Sequence, residues 1–531
     1  MTWKRTARIC VPVCARSAEE LSRLTARAAE LADFVEVRFD CMEESQLEAA
    51  LDRLVADGYR RPYVFTLRPA EEGGRRAVGG DERVRFWEGL VARNARGELN
   101  LPVRADIELG LCETWLAARD PASVGFPVIC SHHDFEGVSP GLGEVFERML
   151  RVRANCLKVA VRANAITDCI EVFKLLERAR AEGREMIAVA MGEAGLLTRV
   201  LGPSRGAFLT FGALDEGHAT APGQTSAAEL RRLYRIDTIT ERTVVTGLVG
   251  SPVAHSFSPH MHNAAFAARG VDAVYIPFEV ADVDEFARRM VRPGSREFEW
   301  NLRGFSVTAP HKTAIMRHLD WTEPSAREIG AVNTVVVEGA ELRGYNTDAA
   351  ASLVPLLERC ELRGARVAVL GAGGAARGLL WSLRQQGAQA TVYARDAARA
   401  RVTAESFGAR LLPLDGARFE GFDAVVNTTP LGTRGESEQA TPATAVQLRG
   451  ARVAYDLVYN PVETRFMREA REAGCDAVGG LPMLVAQAAA QFELWTGEEA
   501  PLDVMCAAAE VVGGQWSVVS ENKQPSPAPD Y

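Results

Sequence analysis

No apolar run in this sequence of 531 residues reaches the roughly 18 to 20 residues that a membrane-spanning helix needs. The chain has 10 cysteines, but it lacks a CxxC pair and any His/Cys cluster at zinc-ligand spacing. Basic residues are not in excess either, since 61 Lys and Arg against 70 Asp and Glu give a net charge of −9. These absences predict a cytoplasmic protein with reduced thiols, no bound metal, and neither a membrane nor a nucleic acid as partner.

The composition is that of a globular protein, with 47% hydrophobic and 25% charged residues. The length allows two or three cores of roughly 150 to 250 residues each. Basic residues before the apolar stretch 9–15 imitate a signal peptide, but Pro12 lies inside the stretch and Arg16 ends it. We therefore interpret 9–15 as a buried strand. Residues 513–531 lose periodicity and end in a proline-rich segment, which predicts a disordered tail.

Between residues 9 and 230, short apolar runs alternate with longer amphipathic segments of helical periodicity. The runs are Ile9–Ala15, Phe34–Phe39, Tyr63–Leu67, Val103–Glu108, Val128–His133, Cys156–Val161, Met186–Met191 and Phe208–Gly212. Eight strand-helix units in about 230 residues predict a closed (β/α)8 TIM barrel, with a doubly wound sheet as the alternative.

A second α/β region opens at Val244, after a polar connector over 236–243. Within it, the apolar strand Ala365–Leu370 leads into a glycine-rich turn and a helical pattern, which is typical of a nucleotide-binding fold. We expect a barrel over 1–235 and then a two-lobed α/β dehydrogenase. Its predicted parts are a substrate-binding domain over 244–348, a Rossmann domain over 349–484, returning helices over 485–512 and the tail over 513–531.

Charged residues cluster where the barrel strands are predicted to end, which is where barrel enzymes place their active sites. Glu36, Arg38 and Asp40 alternate with apolar residues, so a strand would place all three on one face. That face either lines the active site or forms a structural layer of ion pairs at the barrel mouth.

Lys158 shares its strand face with the small residues Cys156 and Ala160, which directs it into the barrel. A buried lysine is either paired with an anion or has a lowered pKa. A lowered pKa raises the fraction of neutral amine, which Schiff-base chemistry requires. On the preceding strand, alternation lets only one of His132 and His133 point inward, where it would act as a general acid and base or serve the structure alone.

Arg68 and Arg199 follow two other predicted strands, and a guanidinium suits a carboxylate substrate. The motifs Glu36-Val-Arg-Phe-Asp40, Phe65-Thr-Leu-Arg68 with Glu72-Gly-Gly, His133-Asp-Phe135, Leu157-Lys-Val-Ala160 and Ala221-Pro-Gly-Gln224 occur in order over about 8–230. This part of the chain resembles type I 3-dehydroquinate dehydratase. The resemblance implies Lys158 as the Schiff-base lysine and His133, rather than His132, as the proton shuttle. It places the substrate against Glu36, Arg38, Arg68, Glu72, Arg199, Thr220 and Gln224.

The implied reaction is the loss of water from 3-dehydroquinate to give 3-dehydroshikimate. An iminium on Lys158 would acidify the adjacent carbon, and His133 would remove its proton and return one to the departing hydroxyl. No metal is needed.

In the second half, Gly371-Ala-Gly-Gly-Ala-Ala fits the GxGxxA pattern between a strand and a helix, where glycines let a pyrophosphate approach the helix N-terminus. The next strand ends in Arg395, with Arg399 one helical turn later. An NAD site would place an acidic residue there, so the arginines favour NADP, whereas Asp396 between them favours NAD.

Two further polar sets could serve a dehydrogenase. Ser256 and Ser258 could direct two hydroxyls at one carboxylate, and Lys312 with Asp348 could form an acid/base pair. From spacing alone, Lys312 and Asp348 could equally be solvated surface charges.

The motifs Gly250-Ser-Pro, His255-Ser-Phe-Ser-Pro259, Ile329-Gly-Ala-Val-Asn333-Thr, Gly344-Tyr-Asn-Thr-Asp348, Val458-Tyr-Asn-Pro461 and Gly480-Leu-Pro-Met-Leu-Val-Ala-Gln487 resemble shikimate dehydrogenase over 244 to about 510. The resemblance implies proton transfer by Lys312 and Asp348 during reduction of 3-dehydroshikimate to shikimate with NADPH. The implied substrate contacts are Ser256, Ser258, Thr308, Asn333, Asn346, Tyr459 and Gln487. The implied cofactor contacts are Gly371, Ala372, Gly373, Gly374, Ala375, Ala394, Arg395, Arg399, Asn427, Thr428, Gly480 and Met483, the last of which could equally be core.

Together the two resemblances imply a bifunctional enzyme of aromatic amino-acid precursor synthesis, and we expect either a monomer or a homodimer. One alternative is a quinate dehydrogenase, against which the Ser256/Ser258 pair argues. The other is a non-catalytic metabolite sensor built from the same domains, against which the retained Lys158, His133 and Lys312 argue.

Overall fold

The computed structural model describes residues 7–119 and 121–521. The chain folds into two compact units. The first holds the barrel, through Val244, together with 252–254 and 276–301. The second holds 245–251, 255–275 and the described residues from Leu302 onwards.

Eight parallel strands form the sheet of the first unit, in the order β7-β6-β5-β4-β3-β2-β1-β8. They are β1 Ile9–Val13, β2 Phe34–Arg38, β3 Tyr63–Thr66, β4 Val103–Glu108, β5 Val128–Asp134, β6 Cys156–Arg162, β7 Glu185–Met191 and β8 Thr210–Phe211. A parallel bridge between Met186 and Ala207 joins the two ends of the sheet. The predicted (β/α)8 barrel is confirmed and the doubly wound alternative is wrong, because the first and last strands meet instead of leaving open edges.

Helices follow the strands and cover the outside of the barrel. They are α1 Ala18–Leu31, α2 Leu47–Asp57, α3 Gly80–Ala95, α4 Leu109–Leu111, α5 Pro121–Val124, α6 Leu142–Arg151, α7 Cys169–Ala181, α8 Leu196–Leu201 and α9 Ala227–Arg232. Helix α1 begins where the Ser17 hydroxyl accepts the Glu20 N–H at 3.2 Å, and it buries Leu21, Leu24 and Ala28. This apolar stripe explains the helical periodicity of the sequence.

One expectation about the cysteines is wrong. Cys14 and Cys41 form a disulfide with an S–S distance of 2.05 Å, where the sequence predicted reduced thiols throughout. Each follows the carboxyl end of a strand, and the parallel pairing of β1 with β2 brings together cysteines that are 27 residues apart. The other eight cysteines are free, and seven of them are buried.

The second half of the chain begins with a six-stranded mixed sheet of order β10-β9-β11-β13-β14-β12. The strands are β9 Val244–Gly250, β10 Ala273–Glu279, β11 Leu302–Val307, β12 Trp321–Thr322, β13 Thr334–Glu338 and β14 Glu341–Tyr345. The associated helices are α10 Ser258–Arg269, α11 Val283–Phe286, α12 Pro324–Ile329, α13 Thr347–Ala351 and α14 Val354–Leu357.

A second six-stranded sheet is entirely parallel, in the order β17-β16-β15-β18-β19-β20. The strands are β15 Arg366–Leu370, β16 Gln389–Ala394, β17 Arg410–Pro413, β18 Ala424–Asn427, β19 Val453–Asp456 and β20 Asp476–Val478. The helices are α15 Gly374–Gln385, α16 Ala397–Ser406, α17 Ala445–Leu448 and α18 Arg465–Glu472. This is the doubly wound dinucleotide-binding order, whose switch point lies between β15 and β18. The predicted Rossmann fold is therefore confirmed.

The last two helices of the described residues are α19 Leu481–Thr496 and α20 Leu502–Glu521. Disorder was predicted from residue 513 onwards, but α20 continues through 513–521, so the prediction is wrong for these residues. They contain no proline that would end the helix, since the first proline of the tail is Pro525. The rest of the predicted tail, 522–531, lies outside the described residues. Within the described residues, no helix is long and apolar enough to cross a bilayer.

Candidate active sites

A pocket of about 560 Å³ opens at the carboxyl ends of the barrel strands. Every site residue that the sequence placed in the barrel lines it: Glu36, Arg38, Arg68, Glu72, His133, Lys158, Arg199, Thr220 and Gln224. Parallel strands aim their ends at one face of the barrel, which brings together residues that lie far apart in sequence. Residues 36 and 38 lie on β2 as the alternation predicted, whereas Asp40 lies beyond the strand in the turn Phe39–Cys41.

Lys158 is 5% exposed and points into this pocket from β6. Its Nζ donates to Asp106 Oδ2 at 2.6 Å and lies 3.7 Å from Glu36 Oε1. The Nζ also lies 4.5 Å from the centre of the Phe211 ring. Of the two alternatives for a buried lysine, the structure shows the paired one.

Asp106 is the residue of this site that sequence reasoning missed. It is 1% exposed and also accepts from Arg68 Nη2 at 2.5 Å. Burial alone would raise the pKa of Asp106, but Arg68 and Lys158 hold that pKa well below its usual range. The signal was present, because Arg104, Asp106 and Glu108 alternate with apolar residues on β4 as the charged residues do on β2.

His133 Nδ1 lies 3.0 Å from Glu72 Oε2, at the end of β5. Glu72 follows β3 and also lies 3.6 Å from Arg68 Nη1. The two glycines after Glu72 are required by close packing. Gly73 has φ +82°, and a Cβ there would lie 2.2 Å from the Phe135 ring, while a Cβ at Gly74 would lie 2.1 Å from the Arg68 carbonyl oxygen.

Burial lowers the pKa of His133 well below its usual value, and the nearby charges of Arg68 and Lys158 lower it further. Burial has the opposite effect on the neighbouring carboxyl and raises the pKa of Glu72. The imidazole is therefore neutral at pH 7 and able to accept a proton.

The three arginines of the pocket have different partners. Arg38 donates twice to Asp40, at 2.8 Å each, and Arg68 is held by Asp106 and by the Ser131 hydroxyl. Arg199 is 1% exposed, and its only hydrogen bond within the described residues runs from Nη1 to the Phe211 carbonyl at 3.1 Å. Burial lowers the pKa of Arg199 to about 10, which still leaves it charged at pH 7.

The hydroxyl and amide groups of the pocket are also ordered. Glu36 Oε1 accepts from the Thr66 hydroxyl at 2.8 Å. Gln224 Oε1 accepts from the Thr220 N–H at 2.9 Å, which fixes the side chain of Gln224 in the loop between β8 and α9. Its amide Nε2 remains a donor for a ligand in the pocket.

The second candidate site lies in the second unit, where Lys312 Nζ donates to Asp348 Oδ2 at 2.6 Å. The side chains of Lys312 and Asp348 are 26% and 16% exposed. Asp348 lies in the first turn of α13, and Lys312 lies in the segment after β11. The tertiary structure therefore excludes the alternative of two unrelated surface charges.

Ser256 and Ser258 lie at the start of α10, and the Ser258 N–H donates to Ser256 Oγ at 3.2 Å. The ring of Tyr459 packs edge-on against Phe257, with 5.2 Å between ring centroids. Burial raises the pKa of Tyr459, and a hydrogen bond to Ser256 opposes that shift. The structure thus brings these three predicted substrate contacts, Ser256, Ser258 and Tyr459, to one place.

The side chains of Asn333 and Asn346, both predicted substrate contacts, already form hydrogen bonds within the protein. Asn346 caps α13, since its Oδ1 accepts from the Ala349 N–H at 3.0 Å and its Nδ2 donates to the Ala331 carbonyl at 2.8 Å. Asn333 uses Oδ1 for the Thr347 N–H and one amide proton for the Thr347 hydroxyl, which leaves its other amide proton. Gln487 is 8% exposed and donates to the Leu484 carbonyl. Thr308 immediately follows β11, and its N–H donates to the Val249 carbonyl at 2.8 Å.

A buried hydrogen-bonded chain below this site was not predicted. The Tyr275 hydroxyl donates to Ser306 Oγ at 2.8 Å, and Ser306 Oγ donates to Gln491 Oε1 at 2.7 Å. Gln491 Nε2 then donates to Thr334 Oγ1 at 3.0 Å. No sequence motif links Tyr275 to Gln491, because β10 and α19 meet only in the fold.

The residues at the end of β15 fit a dinucleotide. Gly371 has φ +107°, and a Cβ there would lie 2.9 Å from Thr428 Oγ1. Gly373 and Gly374 face open space, since a Cβ at either position would have no atom within 4 Å, and Gly374 begins α15. The first N–H groups of a helix have no partner within the helix and can bind an anion.

Arg395, Asp396 and Arg399 are exposed just after β16, beside this turn, and follow Ala394. The carboxylate of Asp396 accepts the Arg399 N–H at 3.0 Å and caps α16. Asp396 therefore serves as the N-cap of α16, so its presence after β16 is a weaker argument for an NAD site. Within the described residues, neither arginine forms an ion pair.

The six other predicted cofactor contacts occupy defined places in the fold. Asn427 is fully buried and binds Asp456 at 2.9 Å and the Thr429 N–H at 2.9 Å, while the Thr428 hydroxyl donates to the Leu370 carbonyl at 2.8 Å. Gly480 immediately precedes α19, and a Cβ there would lie 2.4 Å from the Leu457 carbonyl oxygen. Met483 packs against the core of the parallel sheet. Ala372 packs there too, and Ala375 lies in the first turn of α15.

These two sites define an enzyme class with two active centres on one chain. One active centre lies in a parallel barrel and contains a buried lysine and a neutral histidine. The other lies in an α/β dehydrogenase fold and contains a Lys–Asp pair and a glycine-rich turn that suits a dinucleotide. Among the described residues, no group of three His, Cys, Asp or Glu side chains is arranged to hold a metal.

Comparison with known proteins gives the family. Residues 9–241 match the model of type I 3-dehydroquinase, 248–335 that of the shikimate dehydrogenase substrate binding domain, and 480–510 that of the shikimate 5'-dehydrogenase C-terminal domain. The bifunctional 3-dehydroquinate dehydratase/shikimate dehydrogenase of Arabidopsis thaliana, a chloroplastic protein, is 33% identical over 524 residues, which cover 94% of this chain and 84% of that protein. The chain belongs to the family of bifunctional 3-dehydroquinate dehydratase/shikimate dehydrogenases.

Relatives of the second half alone are also found. The shikimate dehydrogenase (NADP(+)) of Symbiobacterium thermophilum is 44% identical over 279 residues, which cover 50% of this chain and 93% of that protein. The solved shikimate 5-dehydrogenase of Thermus thermophilus, in complex with NADP(H) and shikimate, is 38% identical, with coverage of 51% of this chain and 99% of that one and a TM-score of 0.46.

Proposed function

We propose that this chain dehydrates 3-dehydroquinate to 3-dehydroshikimate in the barrel pocket and reduces 3-dehydroshikimate to shikimate with NADPH in the second unit. The observation that carries the first step is the buried Lys158 in one pocket with a neutral His133. The second step is supported by the contact of 2.6 Å between Lys312 and Asp348, in the same unit as the two serines at the start of α10.

In the barrel, Lys158 passes one proton to the neutral His133, and its amine then attacks the ketone carbon. The adduct takes that proton back on its hydroxyl and loses water, which leaves an iminium that withdraws electrons from the adjacent carbon. Water hydrolyses the iminium at the end and releases 3-dehydroshikimate and the free lysine. Asp106 stays ionised, so it orients Nζ and does not take its proton. His133 is the neutral base in the pocket, and it removes the carbon-bound proton and returns a proton to the leaving hydroxyl. Glu72 holds the imidazole through Nδ1 in both steps.

Arg199 is the candidate anchor for the substrate carboxylate. Arg38 and Arg68 each already have a carboxylate partner, whereas Arg199 is buried without one in the described part of the chain. A buried cation without an anion is costly, and the substrate carboxylate would relieve that cost. Glu36, Thr220 and Gln224 then remain to bind hydroxyl groups.

In the second unit, NADPH supplies a hydride when it is bound. Lys312 donates a proton to the oxygen that becomes the new hydroxyl, and Asp348 holds the ammonium in position. Ser256 and Ser258 bind the substrate carboxylate, with Tyr459 beside them. Asn333, Thr308 and Gln487 bind hydroxyls, while the contacts of Asn346 favour a role in shaping α13.

One assay tests both activities together. Purified protein is given 3-dehydroquinate with NADPH or NADH, and cofactor absorbance is followed. We expect oxidation of NADPH after a short lag, with shikimate as the product. If 3-dehydroshikimate is consumed but 3-dehydroquinate is not, the proposed barrel activity is wrong, and clear preference for quinate over shikimate in the reverse direction would replace the second activity with that of a quinate dehydrogenase.

The pH dependence of the barrel activity follows from the lowered pKa of His133. The base must be neutral, and protonation at falling pH inactivates it, so a lowered pKa moves the acid limb to lower pH. An ordinary histidine, with a pKa of about 6.5, would be about 90% protonated at pH 5.5. We expect the dehydratase kcat/KM to retain more than half of its plateau value at pH 5.5, whereas a half-maximal value at pH 6.5 or above would contradict the assignment.

Cofactor choice is proposed to rest on Arg395, with Arg399 as a second cation for the extra phosphate of NADP. A charge-assisted contact contributes about 1.5 to 3 kcal/mol, so Arg395→Ala is expected to raise the KM for NADPH by about 10- to 100-fold. The KM for NADH should change little. Arg401→Ala, which removes another exposed arginine, one that lies on α16 and is not a predicted cofactor contact, is the matched control.

We also propose a cytoplasmic location, with the chain acting as a monomer or homodimer on small molecules and not on nucleic acid. The support for the location is that eight of the ten cysteines are unpaired, as is usual in a reducing compartment, and the Cys14–Cys41 pair is the exception.

A further inference from the structure

The disulfide between Cys14 and Cys41 lies at the mouth of the barrel, beside residues that shape the dehydratase pocket. Cys14 directly follows β1, and Cys41 ends the turn Phe39–Cys41 after β2. The bond joins residues 27 apart in sequence and encloses α1 between them. It therefore ties the turn after β2 to the end of β1.

Asp40, the neighbour of Cys41, holds the adjoining wall of the pocket. Its carboxylate accepts both hydrogen bonds of Arg38, and it also accepts the N–H groups of Arg68 at 3.3 Å and Arg75 at 3.0 Å. The segment between Arg68 and Arg75 thus has both ends fixed by one carboxylate.

That segment carries Glu72, the partner of His133. Arg38 reaches the same segment, because its Nη2 donates to the Gly73 carbonyl at 3.2 Å. A shift of the turn that contains Asp40 would therefore displace Arg38 and Glu72, both of which line the substrate pocket.

The disulfide is open to reagents. Both cysteines are half-buried and line a second pocket of about 1090 Å³, which adjoins the substrate pocket and shares Thr220 with it. Of the eight unpaired cysteines, only Cys506 is exposed. A thiol reagent that enters from solvent therefore meets this pair before the buried cysteines.

We propose that Cys14–Cys41 is a redox-modification site that sets the activity of the barrel and takes a small or protein dithiol as its reductant. The proposal rests on the dehydratase function of the barrel pocket. The disulfide form holds the turn with Asp40 in the arrangement seen here and has the higher dehydratase activity, while the dithiol form has the lower.

The reaction is ordinary thiol–disulfide exchange. One thiolate of the reductant attacks a sulfur of the pair, the S–S bond breaks, and a mixed disulfide forms with release of one cysteine thiolate. The second thiol of the reductant then displaces the other cysteine. The reductant ends as a disulfide, and Cys14 and Cys41 end as thiols with the two protons.

The second active site provides an internal reference on the same polypeptide. Lys312 and Asp348 lie in the other compact unit, whereas the disulfide lies in the barrel unit. Displacement of catalytic groups by about 1 Å can cost on the order of 100-fold in rate. We expect reduction of the pair to lower the dehydratase kcat/KM at least about fivefold, with the shikimate dehydrogenase rate unchanged.

The experiment uses the full chain, oxidised with glutathione disulfide or reduced with dithiothreitol. Alkylation and mass spectrometry establish the state of Cys14 and Cys41, and both activities are measured in each state. The Cys14→Ser and Cys41→Ser variants should each resemble the reduced protein and no longer respond to dithiothreitol. Cys506→Ser, which changes the exposed cysteine, should respond as the original protein does.

Two results would overturn the proposal. One is equal dehydratase activity in samples whose pair is fully oxidised and fully reduced. The other is failure of the pair to form a disulfide under oxidising conditions while the protein retains both activities. Equal loss of both activities on reduction would also count against it, because that pattern indicates general destabilisation.

Discussion

Replacement of Lys158 by arginine is expected to lower dehydratase activity by at least about 10³-fold, with shikimate dehydrogenase activity unchanged. Arginine keeps a positive charge beside Asp106 and Glu36, so the buried carboxylates retain a partner. A guanidinium stays protonated at pH 7 and cannot attack a ketone. The loss would therefore come from the missing nucleophile and not from an unpaired charge in the barrel.

Lys158→Ala is a harsher variant, because it leaves Asp106 with one cation fewer in a buried site. Lys174→Arg is the matched control, since Lys174 is a half-exposed lysine on α7 outside the pocket. Borohydride added during turnover should reduce the imine and leave a substrate-derived mass on the peptide that contains Lys158. Full dehydratase activity in Lys158→Arg, or an adduct on another lysine, would contradict the Schiff-base assignment.

Replacement of Lys312 by methionine is expected to lower the kcat for 3-dehydroshikimate reduction by about 10²- to 10⁴-fold, which is the usual range for loss of a general acid. Methionine keeps the length of the side chain without its proton. Dehydratase activity should be unchanged, and the KM for NADPH should change little because Arg395 and the Gly373 turn are intact. Asp348→Asn should give a smaller loss, since it leaves the proton donor and removes only its partner.

A mixture of the Lys158→Arg and Lys312→Met proteins provides a second readout of the same prediction. Each variant retains one active site, so the mixture should convert 3-dehydroquinate to shikimate, with 3-dehydroshikimate passing through solution. A mixture that fails while each single activity is present would contradict the independence of the two sites. Loss of both activities in either single variant would show misfolding instead.

Much of the fold was predictable because periodicity reports it directly. Eight apolar runs at regular spacing predicted the barrel. The predicted ends of these runs lie within two residues of the strand ends in the structure. The errors lie where a tertiary contact overrides the local pattern. Asp40 continues the alternation of β2 but lies in a turn, because its carboxylate binds Arg38 and two backbone N–H groups.

Some residues of the candidate sites could be predicted from the sequence, and others could not. The residues with a distinctive chemistry, such as Lys158 and His133, stand out in a sequence because a lysine or histidine on a barrel strand requires explanation. Asp106 and Gln491 were missed because each acts through a partner that is distant in sequence. Asn427 and Asn346 show the opposite error, since both were expected to contact a ligand and yet use their amides for structural contacts.

By itself the sequence determined the two fold classes, the order of the two active sites and the residue types that each would contain, because strand and helix periods and local motifs are written in consecutive residues. Only the tertiary structure decided which arginines of the barrel pocket have a carboxylate partner and which do not. It pairs Arg38 with Asp40 and Arg68 with Asp106, and leaves Arg199 without a carboxylate partner among the described residues. It likewise joins Cys14 to Cys41, because which side chains meet depends on which strands pair, here β1 with β2, and not on spacing along the chain.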